Sequence, residues 1–508
     1  MQRTPFFHRP TDRAPLPFLG LLNRPVLRVL NRVLVGAAAL LGLAGVPASA
    51  SELVPPVSEP VSPGFTCDVV VVGAGGAGLT AALAASEAGA DVIVVEKMPM
   101  VGGNTVQATS HMLVPPKGSA EAEKALVNII LKKGGRSADP ALSGSVISNA
   151  ADTLSWLEGM GADFIRFTPT VLGERLTDQG IRPKGERIIG EEIVKTLLRG
   201  AETRRIPIQT LSAVTGITQD ANGRISGVEV VNSQGRVWHV KAKAVVLATG
   251  GFAANDAMVL ANTSLSSDIP STNSPGCTGD GIILAQSLGA ETVDMDAVTV
   301  HPTTMSFSGL VIPLQARVEG AILVNGRGER FANEFDPNLG SIIEKQPDGR
   351  AWLIFDRRIL DGLPVLSRFA RSGYFLRGSN EEELALRMHV PPQKLYQQIS
   401  IYRSHVRRRQ DTDFGRKTLP SLLYSYPLYA VSVRPGLHHT PGGLRVDTTG
   451  RVKTGKGTIP GLYAAGEVTG GVFGRARPEG TGLTAALTQG RITGRAAAKW
   501  ALEQGRDK

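Results

Sequence analysis

The sequence predicts an α/β fold, a parallel sheet flanked by helices and interrupted by an inserted α+β capping segment. Three observations carry that expectation. The β-branched run DVVVV (68–72) leads through glycines into an alanine-rich stretch and then a second apolar run, VIVV (92–95). Two more such runs, in KAVVLATGG (243–251) and IPGLYAAGEV (459–468), lie far downstream. Between them, from about 300 to 425, the pattern changes to mixed strands and helices. At 508 residues the chain exceeds one ordinary hydrophobic core.

The first unit, CDVVVVGAGGAGLTAALAASEAGADVIVVEK (67–97), is the clearest. Its continuous apolar runs suit strands buried on both faces. Gly73, Gly75 and Gly78 form G-x-G-x-x-G. The first permits a tight turn and the second lets backbone approach a pyrophosphate. The third lets helix and strand pack closely, with the helix N-terminus facing the phosphates. Glu96 ends the second strand, where a carboxylate can hold a ribose hydroxyl pair. Strand, helix, strand and acid in this order predict a Rossmann-like dinucleotide site. MVGGNT (100–105) adds bare backbone beside it. The distant strands ending at Thr249-Gly250-Gly251 and Ala465-Gly466-Glu467 suit closure over the flavin end, so the cofactor expected is FAD.

Helical spacing follows near 120–134, 140–160 and 191–204. A β-rich stretch over 206–251 is punctuated by the turn signals DANG and NSQG. A helix over 279–289 carries Asp280 at its start, and helices are expected at 380–388 and 393–409. The organisation expected is a leader (1–50), a Pro-rich tether (51–65), a cofactor-binding domain in two parts (66–300 and 426–508), and a capping domain between them (301–425).

Arg24, Arg28 and Arg32 precede the apolar stretch VLVGAAALLGLAGV (33–46), and Ala48-Ser49-Ala50 fits signal cleavage before Ser51. The run is shorter than the ~20 residues that span a bilayer. With no Arg-Arg pair there, Sec-type export to the periplasm is expected, the alternative being an uncleaved anchor. The net charge of +10 owes half its size to residues 1–50, which hold six arginines and one aspartate. The remainder is mildly basic, unlike a nucleic-acid binder. Arg407–Arg409 reads as a solvated helix end. Cys67 and Cys277 are the only cysteines, so no C-x-x-C-H haem motif, iron–sulfur cluster or zinc cluster can be drawn. His438 and His439 stand side by side in PGLHHTPGG. Prolines and glycines on both flanks are poor material for a strand interior, which places them in a loop. Adjacent histidines lack the i, i+4 spacing of a metal site, and no metal is expected.

From residue 66 onward the chain resembles the soluble fumarate reductases and the flavin domain of flavocytochrome c. More distantly it resembles the succinate dehydrogenase flavoprotein. The resemblance runs through GGNT, LATGGF, TGDGI, HPTT, GAILVNGRGERFANE, DFGR, HHTPGG and GLYAAGEVTGGVFG. It implies that Ala77, Glu96, Asn104, Thr105, Val214, Asp280, His439 and Glu467 touch FAD. Lys97, Gly103, Thr249, Gly250, Gly482 and Leu483 belong to the same site. It implies a substrate clamp of His301, Arg317, His438 and Arg477, in which arginines grip a carboxylate in fork geometry and histidines add single hydrogen bonds.

Several positions depart from the family. Where it has a proton-donating arginine this chain has Asn338, and the relay glutamate is Leu314. Arg475 and Glu479 bring charge where the family has small or apolar residues. Phe473 replaces a histidine, and His111 stands where glycine is usual. His239 and His405 read as surface residues. The acid would come instead from Asp336, Glu479 or a tyrosine. The reaction expected is reduction of the C=C bond of an α,β-unsaturated carboxylate other than fumarate, by hydride transfer at the flavin N5. The alternatives are oxidation of a saturated acid and a non-catalytic electron carrier. With no haem of its own, the chain would exchange electrons with a separate c-type cytochrome or a flavin-bearing membrane partner.

Overall fold

The computed structural model describes residues 64–171, 174–185, 187–265 and 268–504. The expected leader and nearly all of the tether lie outside them. Thr66–Val72 forms the middle of an eight-stranded sheet. It pairs in parallel with Val92–Val95 on one side and Val237–Leu247 on the other. Gly457–Ala464 extends the sheet, again in parallel, beyond Val237–Leu247. Val69, Val70 and Val71 are fully buried, as a strand covered on both faces requires. Helices Gly76–Glu87 and Thr481–Glu503 pack against each other over this sheet. Every described side chain from Gly76 to Ala85 is buried. The helix expected over 140–160 is two helices, Pro140–Ser148 and Ala150–Gly159, divided at Asn149. Asp139 caps the first through its carboxylate, with Pro140 at the first helical position.

A second, antiparallel sheet runs in the order Thr299–Met305, Leu428–His439, Ala351–Asp356, Ile322–Val324, with Leu376–Gly378 also paired to Leu428–His439. Its core includes Leu323, Ile354, Phe355, Tyr402, Leu428 and Val433. Leu428–His439 lies beyond residue 425, the end expected for the inserted segment. Its ladder partners all come from strands between 299 and 378.

This strand corrects one expectation: His438 and His439 end a twelve-residue strand and do not sit in a loop. Pairing with Ala351–Asp356 stops at Val433, so Pro435 falls past the end of that ladder and its missing N–H breaks nothing. On the other side the register is irregular between His301 and Thr304. A second correction concerns His405, which is buried and not on the surface. Helix Pro392–Arg408 turns Tyr402, Arg403 and His405 inward, and His405 Nδ1 lies 3.2 Å from Asp411 Oδ1. Arg407 and Arg408 at the helix end are exposed.

Candidate active site

A cavity of about 880 Å³ runs from the glycine-rich turn, past the ends of the parallel strands, to the inner face of the second sheet. At its first end the turn after Thr66–Val72 is stripped of side chains. A Cβ on Gly78 would lie 1.9 Å from the Gly73 carbonyl oxygen, so helix and strand meet this closely only through glycine. Gly78 itself is not on the cavity wall, whereas Gly73, Gly75, Ala77 and Gly103 are. The Glu96 carboxylate is buried and accepts hydrogen bonds from the Ala74 and Met98 backbone N–H groups, at 2.7 and 2.8 Å. Burial raises its pKa and these bonds oppose the rise.

Thr105, Val214, Thr249, Gly250, Gly482 and Leu483 also line the cavity. Two residues expected at the cofactor pair with each other: Lys97 Nζ lies 2.5 Å from Asp280 Oδ2. Asn104 bridges to Asn273 Oδ1 at 2.6 Å and Glu467 Oε2 at 3.3 Å, and accepts from the Ser274 N–H at 2.7 Å. The buried Thr249 Oγ1 and His439 Nδ1 have no partner within the protein. Bare backbone, a held carboxylate and orphaned polar atoms along one long cavity fit a dinucleotide flavin.

At the other end His301, Arg317, His438 and Arg477 line the same cavity, and the His301 and His438 rings stand 5.3 Å apart, edge to face. The two histidines come from neighbouring strands of the second sheet. Arg317 comes from the short helix Leu314–Val318, and Arg477 from the loop before Thr481–Glu503. The Thr303 N–H donates to His301 Nδ1 at 3.3 Å, so the neutral ring carries its proton on Nε2 as a free donor. Thr272 Oγ1 lies 2.9 Å from His438 Nδ1.

His301, His438 and Arg477 keep accessible surface toward the cavity while protein surrounds them elsewhere. Burial therefore dominates their titration. It lowers His301 well below the ordinary histidine range, helped by His438 and Arg317. It lowers His438 to about 4, with Arg477 adding to the effect. His439 is lowered in the same way. Burial brings Arg317 down to about 10, still protonated at neutral pH. Among the described residues, neither Arg317 nor Arg477 has a carboxylate within ion-pair distance, and the Nε of each is unpartnered.

Arg317 is held from behind by groups whose roles sequence reasoning missed. Its Nη1 donates to the Glu334 carbonyl at 2.6 Å, and Arg416 Nη2 donates to the Arg317 carbonyl at 2.6 Å. The Glu334 carboxylate takes two bonds from Arg330 at 2.8 Å and one from Arg416 at 3.0 Å. Arg330 also reaches Asp411 at 2.7 Å. RFANE and DFGR were legible as motifs, but only the fold shows them as one buried ion network.

Asn338 and Asp336 lie off the cavity wall. Asp336 Oδ1 accepts the Asn338 N–H at 2.8 Å, so its position does not support the expected role as acid. Among the described residues no tyrosine lines the cavity, whereas Glu479 does, as do Leu314, Phe473 and His111. Among the described residues no three His, Cys, Asp or Glu side chains are grouped to hold a metal ion. No helix there is long and apolar enough to cross a membrane. Cys67 and Cys277 are buried free thiols.

A sheet with parallel central strands, a glycine turn and a long cavity lined by bare backbone defines a flavoprotein of the FAD binding domain class, whose family model matches residues 68–483. A cytochrome-type fumarate reductase from Shewanella frigidimarina is 35% identical over 448 residues, 86% of this chain and 78% of that one. A urocanate reductase from Eggerthella lenta is 30% identical over 452 residues, 85% and 74% of the two chains. The open conformation of a flavocytochrome c3 fumarate reductase superposes with a TM-score of 0.77 at 32% identity, over 97% of this chain and 85% of that chain. The chain belongs to the fumarate reductase family of flavoproteins. It binds FAD and is an oxidoreductase acting on CH–CH bonds.

Proposed function

We propose that the protein is exported and reduces the C=C bond of an α,β-unsaturated carboxylate other than fumarate. The observation that carries this is the pair of guanidiniums, Arg317 and Arg477, left without carboxylate partners on the wall of a flavin cavity. A buried cation without a counter-ion is costly, and an organic carboxylate supplies the missing partner. Two neutral imidazoles beside them add directional hydrogen bonds, His301 as a donor through Nε2.

Bound in its reduced form, FAD would supply the hydride equivalent that the alkene needs. The chain's residues orient the acid and polarise its conjugated carboxylate so that negative charge can build there. A proton must then reach the neighbouring carbon. Asn338 cannot give one, which confines delivery to groups on the wall, such as Glu479 and the histidines. Strands and helices of 301–425 cover the cavity and contribute Arg317, which supports their reading as a capping domain. Two electrons per turnover would come from a separate protein, a c-type cytochrome or a flavin-bearing membrane partner. The basic and apolar character of residues 24–46 and Ala48-Ser49-Ala50 support export to the periplasm.

Reduced methyl viologen with a panel of enoates tests the reading. Oxidation of the dye by at least one enoate, faster than by fumarate, is expected; silence across the panel sinks it. The absence of an acid at 338 favours a second reading, oxidation of a saturated acid with a neutral histidine as base. Dye reduction by saturated acids, with no enoate turnover, would establish that one.

A further inference from the structure

We propose that Glu479 sets the charge of the acid this cavity accepts, selecting a monocarboxylate with an uncharged tail over a dicarboxylate. This rests on the enoate reading above and names its substrate class.

Two charges beside Arg477 depart from the family. Arg475 is accounted for at the surface, where it grips Asp296 with bonds of 2.7 and 2.9 Å. Glu479 is not: it lines the cavity and, among the described residues, has neither an ion-pair nor a hydrogen-bond partner. Its carboxylate acts on Arg317 together with Glu334, on Arg477 behind Glu467, and on His111. Yet neither guanidinium reaches ion-pair distance. The three charges therefore stand around a shared space.

His111, also a departure from the family, supports this loop. A Cβ on Gly480 (φ +80°) would lie 2.9 Å from His111 Nε2, and the His111 ring meets Phe167 edge to face at 5.4 Å. Thus the two unusual residues are neighbours, one buttressing the turn that carries the other.

The other charged groups on the wall are otherwise engaged. Lys97 pairs with Asp280, and Arg368 with Glu191. Lys133 is exposed at the rim. Glu96 is held by backbone at the far end. Behind Arg317, the Glu334 carboxylate is taken up by Arg330 and Arg416. Glu467 is held at the flavin end, where it accepts from the Thr440 N–H at 3.1 Å and from the Asn104 amide at 3.3 Å, and burial favours the neutral imidazoles of His111, His301, His438 and His439. Two guanidiniums and one carboxylate remain, a surplus of one positive charge. A monoanion balances it. A dianion would overshoot and set its second carboxylate against Glu479 in a medium where like charges repel strongly. Leu310, Leu314, Val365, Phe369 and Phe473 offer an apolar wall for an uncharged tail.

The test titrates the FAD-loaded protein with succinate and with 3-phenylpropanoate, reading flavin absorbance, in wild type and Glu479→Gln. Wild type should bind the monoanion at least about tenfold more tightly, and the variant should bring the dianion's affinity up by about tenfold. Monoanion affinity should stay within about threefold. Equal or tighter binding of succinate by wild type overturns the inference, as does an unchanged ratio in the variant. Because this is a binding measurement, charge selection without enoate turnover would remove the reductase reading alone. Enoate turnover without charge selection would remove this inference alone.

Discussion

Arg477 lies over the first turn of the last helix, close enough to Gly482 that a Cβ there would meet Nη1 at 2.8 Å. It lines the cavity and, among the described residues, has no carboxylate within ion-pair distance. Arg477→Ala should lower kcat/KM by about 30- to 150-fold, roughly 2–3 kcal/mol, with FAD content unchanged. A wild-type rate in that variant would take it out of the clamp. His438 gives a pH prediction. Free, it is held at about 4 by burial and then by Arg477. An anion bound beside it favours the imidazolium, so binding takes up a proton and affinity should rise as pH falls from 7 toward 5. Titration of 3-phenylpropanoate at both ends of that range checks it, and a fall in affinity would contradict it. These residues were legible because each stands in a short motif. The roles of Thr272 and Glu334 were not, since their work is to hold another side chain, and nothing in local sequence marks a partner 166 or 17 positions away.

Glycine-turn-helix units read well because their physics is local. A buried β-branched run, a turn that excludes Cβ and an alanine-rich helix each leave a mark within a few residues. Gly78→Ala places a methyl group on the Gly73 carbonyl, so the protein should purify with little FAD, seen as loss of absorbance near 450 nm. Retention of full flavin would show that strand and helix can part. Strand Leu428–His439 was illegible for the converse reason. Its ladder is set by strands 50 or more residues upstream, and a proline is tolerated only because one neighbour stops short. The ion network around Glu334 belongs to this scale too. Glu334→Ala leaves Arg416 and Arg330 short of an anion in a dry interior. It should destabilise the protein by about 3–5 kcal/mol in chemical denaturation. A change below about 1 kcal/mol would mean that water replaces the carboxylate.

Over the whole molecule, acid stability follows from the same network. Burial alone would raise the Asp411 carboxyl, but Arg330 and the Phe414 and Arg416 N–H groups outweigh it and hold it at about 2. A carboxyl depressed in the folded state contributes stability above its unfolded pKa of ~3.9 and loses it as pH falls toward 2. Unfolding free energy should therefore drop across that window in wild type and less steeply in Asp411→Asn. Equal slopes would exclude Asp411 as a source. The architecture also carries a mechanical implication. His301, His438 and Arg317 ride on or beside the antiparallel sheet, whereas Arg477 and Glu479 belong to the loop that starts the last helix. At the rim, Arg368 and Glu191 fasten the two sides together. The grip on a small acid is thus like a vice with one jaw on each half of the protein: parting the halves would release the workpiece and disarm the tool in the same movement.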